Sequence, residues 1–160
     1  MVNAKLEGYG FFAGNRIGSN MDVKVMQQLI NSVKENEGYR SMVYKDSLGI
    51  DTIGYGFAIK DLELDEDICE EILKRKLDKL INRVNEKWGW IVNLPQEAQE
   101  VIYEMCYQMG VSGVSKFKKT LACFENHEYK MAAIEMLDSK WAKSDSPQRA
   151  KRMSDIIKEL

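Results

Sequence analysis

From Asp22 onward, apolar residues recur at steps of three and four: Met26, Leu29, Ile30 and Val33 form one stripe. That period predicts an amphipathic helix, capped at its start by Asn20 or Asp22 and stopped by Gly38. Glu37 falls four residues after Val33, on the apolar face at the end of the helix, where its carboxylate is expected to be partly desolvated. After Gly38 the period shortens to two and Tyr, Val, Ile and Thr take over, which predicts β structure. Met42 to Lys45, a turn through Asp46-Ser47-Leu48-Gly49, and Ile50 to Tyr55 make a hairpin, with Phe57 to Lys60 as a short third strand. Gly54 and Gly56 leave no side chain on that part of the sheet, so another group can approach its backbone closely.

The longest helical pattern follows. Asp65 caps it, and Ile68, Ile72, Leu73, Leu77, Leu80, Ile81, Val84 and Trp88 carry the period onward. At 1.5 Å per residue it is a rod of about 33 to 36 Å, too long for one small lobe and suited to joining two. Beyond Trp88-Gly89-Trp90 the pattern stays helical. One helix opens at Pro95 and ends at Gly110, a short one runs around Phe117 to Phe124, another spans Lys130 to Leu137, and the last runs from Gln148 to Leu160 after Pro147. The fold class is therefore α+β, mainly helical. Residues 1–21, rich in Gly and Asn and without periodicity, read as an irregular arm. Residues 22–160 read as one domain: a helix-plus-β lobe (22–64), a linking helix (65–88) and a helical lobe (89–160).

Composition narrows the function classes. With 44% hydrophobic and 30% charged residues the chain is an ordinary globular protein, and a net charge of −2 lacks the basic excess that gripping nucleic acid requires. Neither a membrane span nor the apolar block of a secretory leader is visible, so stable membrane insertion is not expected. Cys69, Cys106 and Cys123 stand singly inside apolar helical patterns and read as reduced thiols, not as metal ligands. The single histidine, His127, lies in a polar stretch and reads as a surface residue. No metal and no cofactor is implied.

The chemistry concentrates in the first lobe. Asp46 follows Glu37 by nine residues and Thr52 follows Asp46 by six. A hairpin folded back toward the helix end would set two carboxylates on a cleft with a hydroxyl beside the second. Glycosidic hydrolysis uses such a set: an acid for the leaving oxygen and a base for water. On spacing alone, an Asp in a turn and a Thr in a strand are equally ordinary structural choices.

Glu37-Gly38, Tyr44-Lys45-Asp46 and Thr52-Ile53-Gly54-Tyr55-Gly56-Phe57 resemble the motifs of the phage-type lysozyme (endolysin) family, glycoside hydrolase family 24. Tyr107-Gln108-Met109-Gly110, Gly113 to Phe117, and Trp141 followed by Pro147 to Arg152 extend the resemblance over about residues 22 to 158. It implies a two-lobe lysozyme-like fold with a substrate groove between the lobes, and hydrolysis of the bond between N-acetylmuramic acid and N-acetylglucosamine in bacterial peptidoglycan. Glu37 would be the general acid, with Asp46 and Thr52 activating water on the opposite face to give inversion. The carboxyl groups would then stand roughly 6.5 to 9.5 Å apart.

The resemblance further implies substrate contacts at Tyr107, Gln108, Thr120, Ala58 and Glu135, and a supporting contact from Arg149 to Glu37. Ala58 replaces a larger aliphatic residue, Glu135 replaces an amide, and a solvated helix face explains Glu135 equally well. Phe57 stands where many members have His, so apolar packing is expected there in place of an ion pair. The small helix that T-even members carry after the third strand is expected to be missing. Such an endolysin would be a monomer made in the host cytoplasm, reaching the wall through a pore formed by a separate holin. Two alternatives remain at this level: a non-catalytic wall-binding or virion structural module, and a lytic transglycosylase.

Overall fold

In a computed structural model, described for residues 23–160, the first helix runs Val23–Glu37 (α1) and stops where Gly38 N bonds Lys34 O at 3.0 Å. The arm expected at 1–21 and the cap expected at Asn20 or Asp22 lie outside the described residues. Two compact units follow from the packing, one ending at Glu63 and the other spanning Leu64–Leu160.

In the first unit, Arg40–Lys45 (β1), Asp51–Gly54 (β2) and Phe57–Ala58 (β3) form an antiparallel sheet in the order β1-β2-β3. Tyr44 faces Thr52 and Lys45 faces Asp51 across β1 and β2, while Thr52 faces Ala58 across β2 and β3. An irregularity between Arg40 and Tyr44 shifts the register on β1. The third strand is shorter than its sequence pattern suggests, because the chain enters a single 3-10 turn at Ile59–Asp61. Among the described residues of this unit only Thr52 is buried. Glu37 is accordingly exposed, not half-buried as its place on the apolar stripe suggests.

The core sits in the second unit. Helix α2, Glu66–Lys87, packs against α3, Gln96–Val114. Asp65 occupies the cap position of α2 without a side-chain capping bond. On α3 the residues Ala98, Val101, Ile102, Met105 and Cys106 repeat at three and four and are all buried; truncating Ile102 or Met105 to Ala would cost about 2–5 kcal/mol. Gly110, at φ 74 and ψ 160, breaks the helical path inside α3 at the residue where the sequence places its end, and a further helical turn follows.

Helices α4, Lys118–Glu125, α5, Tyr129–Leu137, and α6, Pro147–Lys158, complete the bundle. Buried Ala132 and Ala133 on α5 and Ala150 on α6 let these helices pack closely, and Ser154 Oγ donates to Ala133 O at 3.0 Å in the interior. Between α5 and α6, Trp141–Asp145 forms a π-helical turn closed by Ser146 N donating to Trp141 O at 2.8 Å. Periodicity does not reveal that turn. No helix among the described residues is long and apolar enough to cross a membrane.

Candidate active site

The sheet of the first unit separates its two acidic strand-end residues by alternation. Lys45 and Asp51 face each other and their side chains pair, Nζ to Oδ1, at 2.8 Å. Tyr44, Thr52 and Ala58 form the cross-strand row on the other face. Asp46 lies two residues beyond Tyr44, and Asp46 N donates to Ile50 O at 3.0 Å, extending the ladder by one step on the face of that row. Asp46 thus shares a face with Thr52, while Asp51 is neutralised on the opposite one.

Asp46 is held by the turn it begins. Its Oδ1 accepts from Leu48 N and Ile50 N, both at 2.8 Å, and its carbonyl accepts from Gly49 N at 3.0 Å. Aspartate in a turn commonly binds backbone N–H groups ahead of it, and here that habit fixes the carboxylate's direction. Thr52, 3% exposed, donates its hydroxyl proton to Ile50 O at 3.1 Å. A hydroxyl has one proton, so toward any other group Thr52 can only accept.

Glu37 arrives from the helix. A Cβ built on Gly56 would lie 2.5 Å from Glu37 Oε2 and 3.0 Å from its carboxyl carbon, so the carboxylate occupies the space that the missing side chain leaves. Two contacts to the neighbouring Tyr55 flank that placement. Lys34, one helical turn before Glu37, sets Nζ 5.3 Å from the centre of the Tyr55 ring, and Tyr39, two residues after, lies 5.4 Å from it ring to ring. The end of α1 is therefore fastened to the β2–β3 turn. At Gly54 a Cβ would meet the Phe57 ring at 2.8 Å, so the ring lies over the glycine while Phe57 itself stays about half exposed.

The residues expected to touch sugar fall differently. Ala58 stands in the Thr52 row. In the second unit Tyr107 is half exposed, while Thr120 is buried at 3%, to the same degree as Thr52. Gln108 has both ends of its amide engaged: Trp141 Nε1 donates to Oε1 at 3.1 Å, and Nε2 donates to Ser146 Oγ at 2.6 Å. Its evident work is to tie α3 to the π-helical turn and to the start of α6. Glu135 lies with Lys119, Phe117 and Trp141 around a cleft of about 740 Å³, its Oε2 3.9 Å from Lys119 Nζ.

Arg149 Nε stands 3.8 Å from Glu104 Oε1, and Arg152 Nη2 binds the same carboxylate at 2.8 and 3.1 Å. Glu104 was not singled out by the sequence, because an acid on the polar side of a helix carries no signal by itself. No group of His, Cys, Asp and Glu among the described residues is placed to hold a metal ion.

Residues 34–155 match the family model described as phage lysozyme. "Probable T4-type lysozyme 2" of Dictyostelium discoideum is 26% identical over 162 residues, covering 83% of this chain and 95% of that relative. "Probable T4-type lysozyme 1" of the same organism is 27% identical, covering 81% and 95% respectively. With a match spanning the carboxylates of the sheet and nearly all of the helical bundle, the chain belongs to the phage lysozyme family.

Proposed function

We propose that the protein is a muramidase that hydrolyses the β-1,4 bond between N-acetylmuramic acid and N-acetylglucosamine in bacterial peptidoglycan. The observation that carries this reading is the seating of the Glu37 carboxylate against Gly56, in the unit whose sheet presents Asp46 and Thr52 on one face. Family membership and the two T4-type relatives support a lysozyme-like glycosidase in general terms.

In this mechanism Glu37 donates its proton to the glycosidic oxygen as the bond to the anomeric carbon breaks. A water gives one hydrogen to the Asp46 carboxylate and the other to Thr52 Oγ1, whose own proton is committed to Ile50 O. Its lone pair is then free to attack the anomeric carbon from the face opposite the leaving oxygen, and Asp46 takes the proton as the new C–O bond forms. The product is the inverted, reducing N-acetylmuramic acid. Asp46 Oδ1 is saturated by two backbone donors, so Oδ2 is the oxygen available to that water.

We further infer a monomeric endolysin made in the host cytoplasm that needs a separate pore-forming protein to reach the wall. Mass spectrometry of digested peptidoglycan tests the chemistry. Hydrolysis leaves reducing N-acetylmuramic acid ends, a transglycosylase leaves anhydro ends, and a wall-binding module releases neither.

A further inference from the structure

We propose that Lys76, Lys79 and Arg83 on α2 form a subsite that holds the free carboxylates of peptidoglycan stem peptides; this rests on the muramidase reading. Steps of three and four place the three cations on one stripe of the helix. They line a cleft of about 230 Å³ with Leu80 of the same helix and Cys106 and Tyr107 of α3.

The cations of this helix fall into two sets. Lys74 and Arg75 pair with Glu70 and Glu71 at 2.9 and 2.7 Å. Lys76, Lys79 and Arg83 have no acidic partner among the described residues. Like charges at these spacings repel, and no acidic group among the described residues pairs with them at this face. A chain of net charge −2 offers no general attraction to an anionic wall, so attraction has to be local.

The shape of the cleft narrows the ligand class. Its floor is apolar, with Leu80 and Cys106, and Tyr107 offers a half-exposed ring. Lys76 and Arg83 are seven residues apart, about 10 Å along the helix at 1.5 Å per residue. Cations spaced over that length of helix can each meet a separate anion. They suit separate carboxylates along a peptide whose carbon skeleton rests on the floor, with Arg83 able to take one carboxylate bidentately.

The test compares the wild type with the triple variant Lys76→Gln, Lys79→Gln, Arg83→Gln, whose sites are on the helix surface and whose mutual repulsion is removed, so its melting temperature should not fall. Both are assayed on sacculi stripped of phosphate polymers, either native or with carboxylates converted to amides by carbodiimide and methylamine. Three weak, solvent-exposed charge contacts predict a KM on native sacculi about tenfold higher for the variant. Amidation should raise the wild-type KM to the same level and leave the variant where it was.

An unchanged KM in the variant overturns the proposal, as does a further loss in the variant on amidation. A deficit seen only on sacculi that retain their phosphate polymers also overturns it, in favour of phosphate as the ligand. If neither protein releases reducing ends, the muramidase reading fails. Co-sedimentation with native and amidated sacculi then decides the carboxylate subsite on the same pattern.

Discussion

Glu37 packs its carboxylate against Gly56: the nearest carboxylate oxygen lies 2.5 Å from where a Cβ on residue 56 would stand, so a side chain there would displace it. An acid at a helix end is ordinarily free to sample several rotamers. Here the helix end is tied through Lys34 and Tyr39 to Tyr55, which brings the Glu37 backbone to the edge of the sheet.

Gly56→Ala should therefore cost activity beyond its cost in stability. Its φ of +78 penalises any side chain by about 1 kcal/mol or more, and the added methyl also expels the Glu37 carboxylate. Gly110→Ala is the control for strain alone, since φ there is +74 and nothing lies within 4 Å of the built Cβ. Both variants should melt several degrees lower, and reducing-end release should collapse only in Gly56→Ala.

Two substitutions separate the roles of Asp46. Asp46→Asn keeps an oxygen for Leu48 N and Ile50 N and should leave the melting temperature nearly unchanged while turnover falls at least a hundredfold, the usual range for a lost general base. Asp46→Ala loses both turn bonds and should also lower stability by about 1–2 kcal/mol in urea unfolding. Equal activity in Asp46→Asn and wild type would remove Asp46 from the mechanism.

Gln108 should prove structural first. Gln108→Ala removes the acceptor for Trp141 Nε1 and the donor to Ser146 Oγ, and is expected to destabilise the second unit by about 1–3 kcal/mol. Chemical denaturation followed by Trp fluorescence reads this directly. An unchanged midpoint would show that the two bonds contribute nothing net.

The hairpin, its Asp46 turn and the close approach at the glycines were legible because each is dictated by local chemistry: period two, a turn aspartate, missing side chains. What approaches Gly56 was not legible, since the contact joins residues 19 positions apart through a helix end. Ser146 illustrates the other limit. It stands before Pro147, where a hydroxyl normally caps a helix, yet its Oγ accepts from Gln108 and makes no cap. The π-helical turn that brings it there depends on bonding one residue longer than an α-helix, which leaves no mark on hydrophobic periodicity. Glu104, shared by Arg149 and Arg152, was hidden for a similar reason: only the tertiary contact distinguishes it from a solvated acid.

The three cysteines should differ in reactivity. Burial raises the Cys106 thiol to about 11 and also raises Cys123, while Cys69 is exposed. At pH 8 a thiol reagent should modify Cys69 rapidly and the other two only on unfolding. Because the folded thiol of Cys106 ionises later than the unfolded one, its contribution to stability is full below about 9 and is lost as pH rises toward 11. The slope of stability against pH in that window should be shallower in Cys106→Ala.

The most direct measurement is reducing-end release from purified peptidoglycan by Glu37→Gln beside wild type. The amide fits the same space against Gly56 but has no proton to give, so turnover should fall by about 10² to 10⁴ with melting temperature and sacculus binding unchanged. Full activity in that folded variant would contradict the assignment of Glu37 as the general acid.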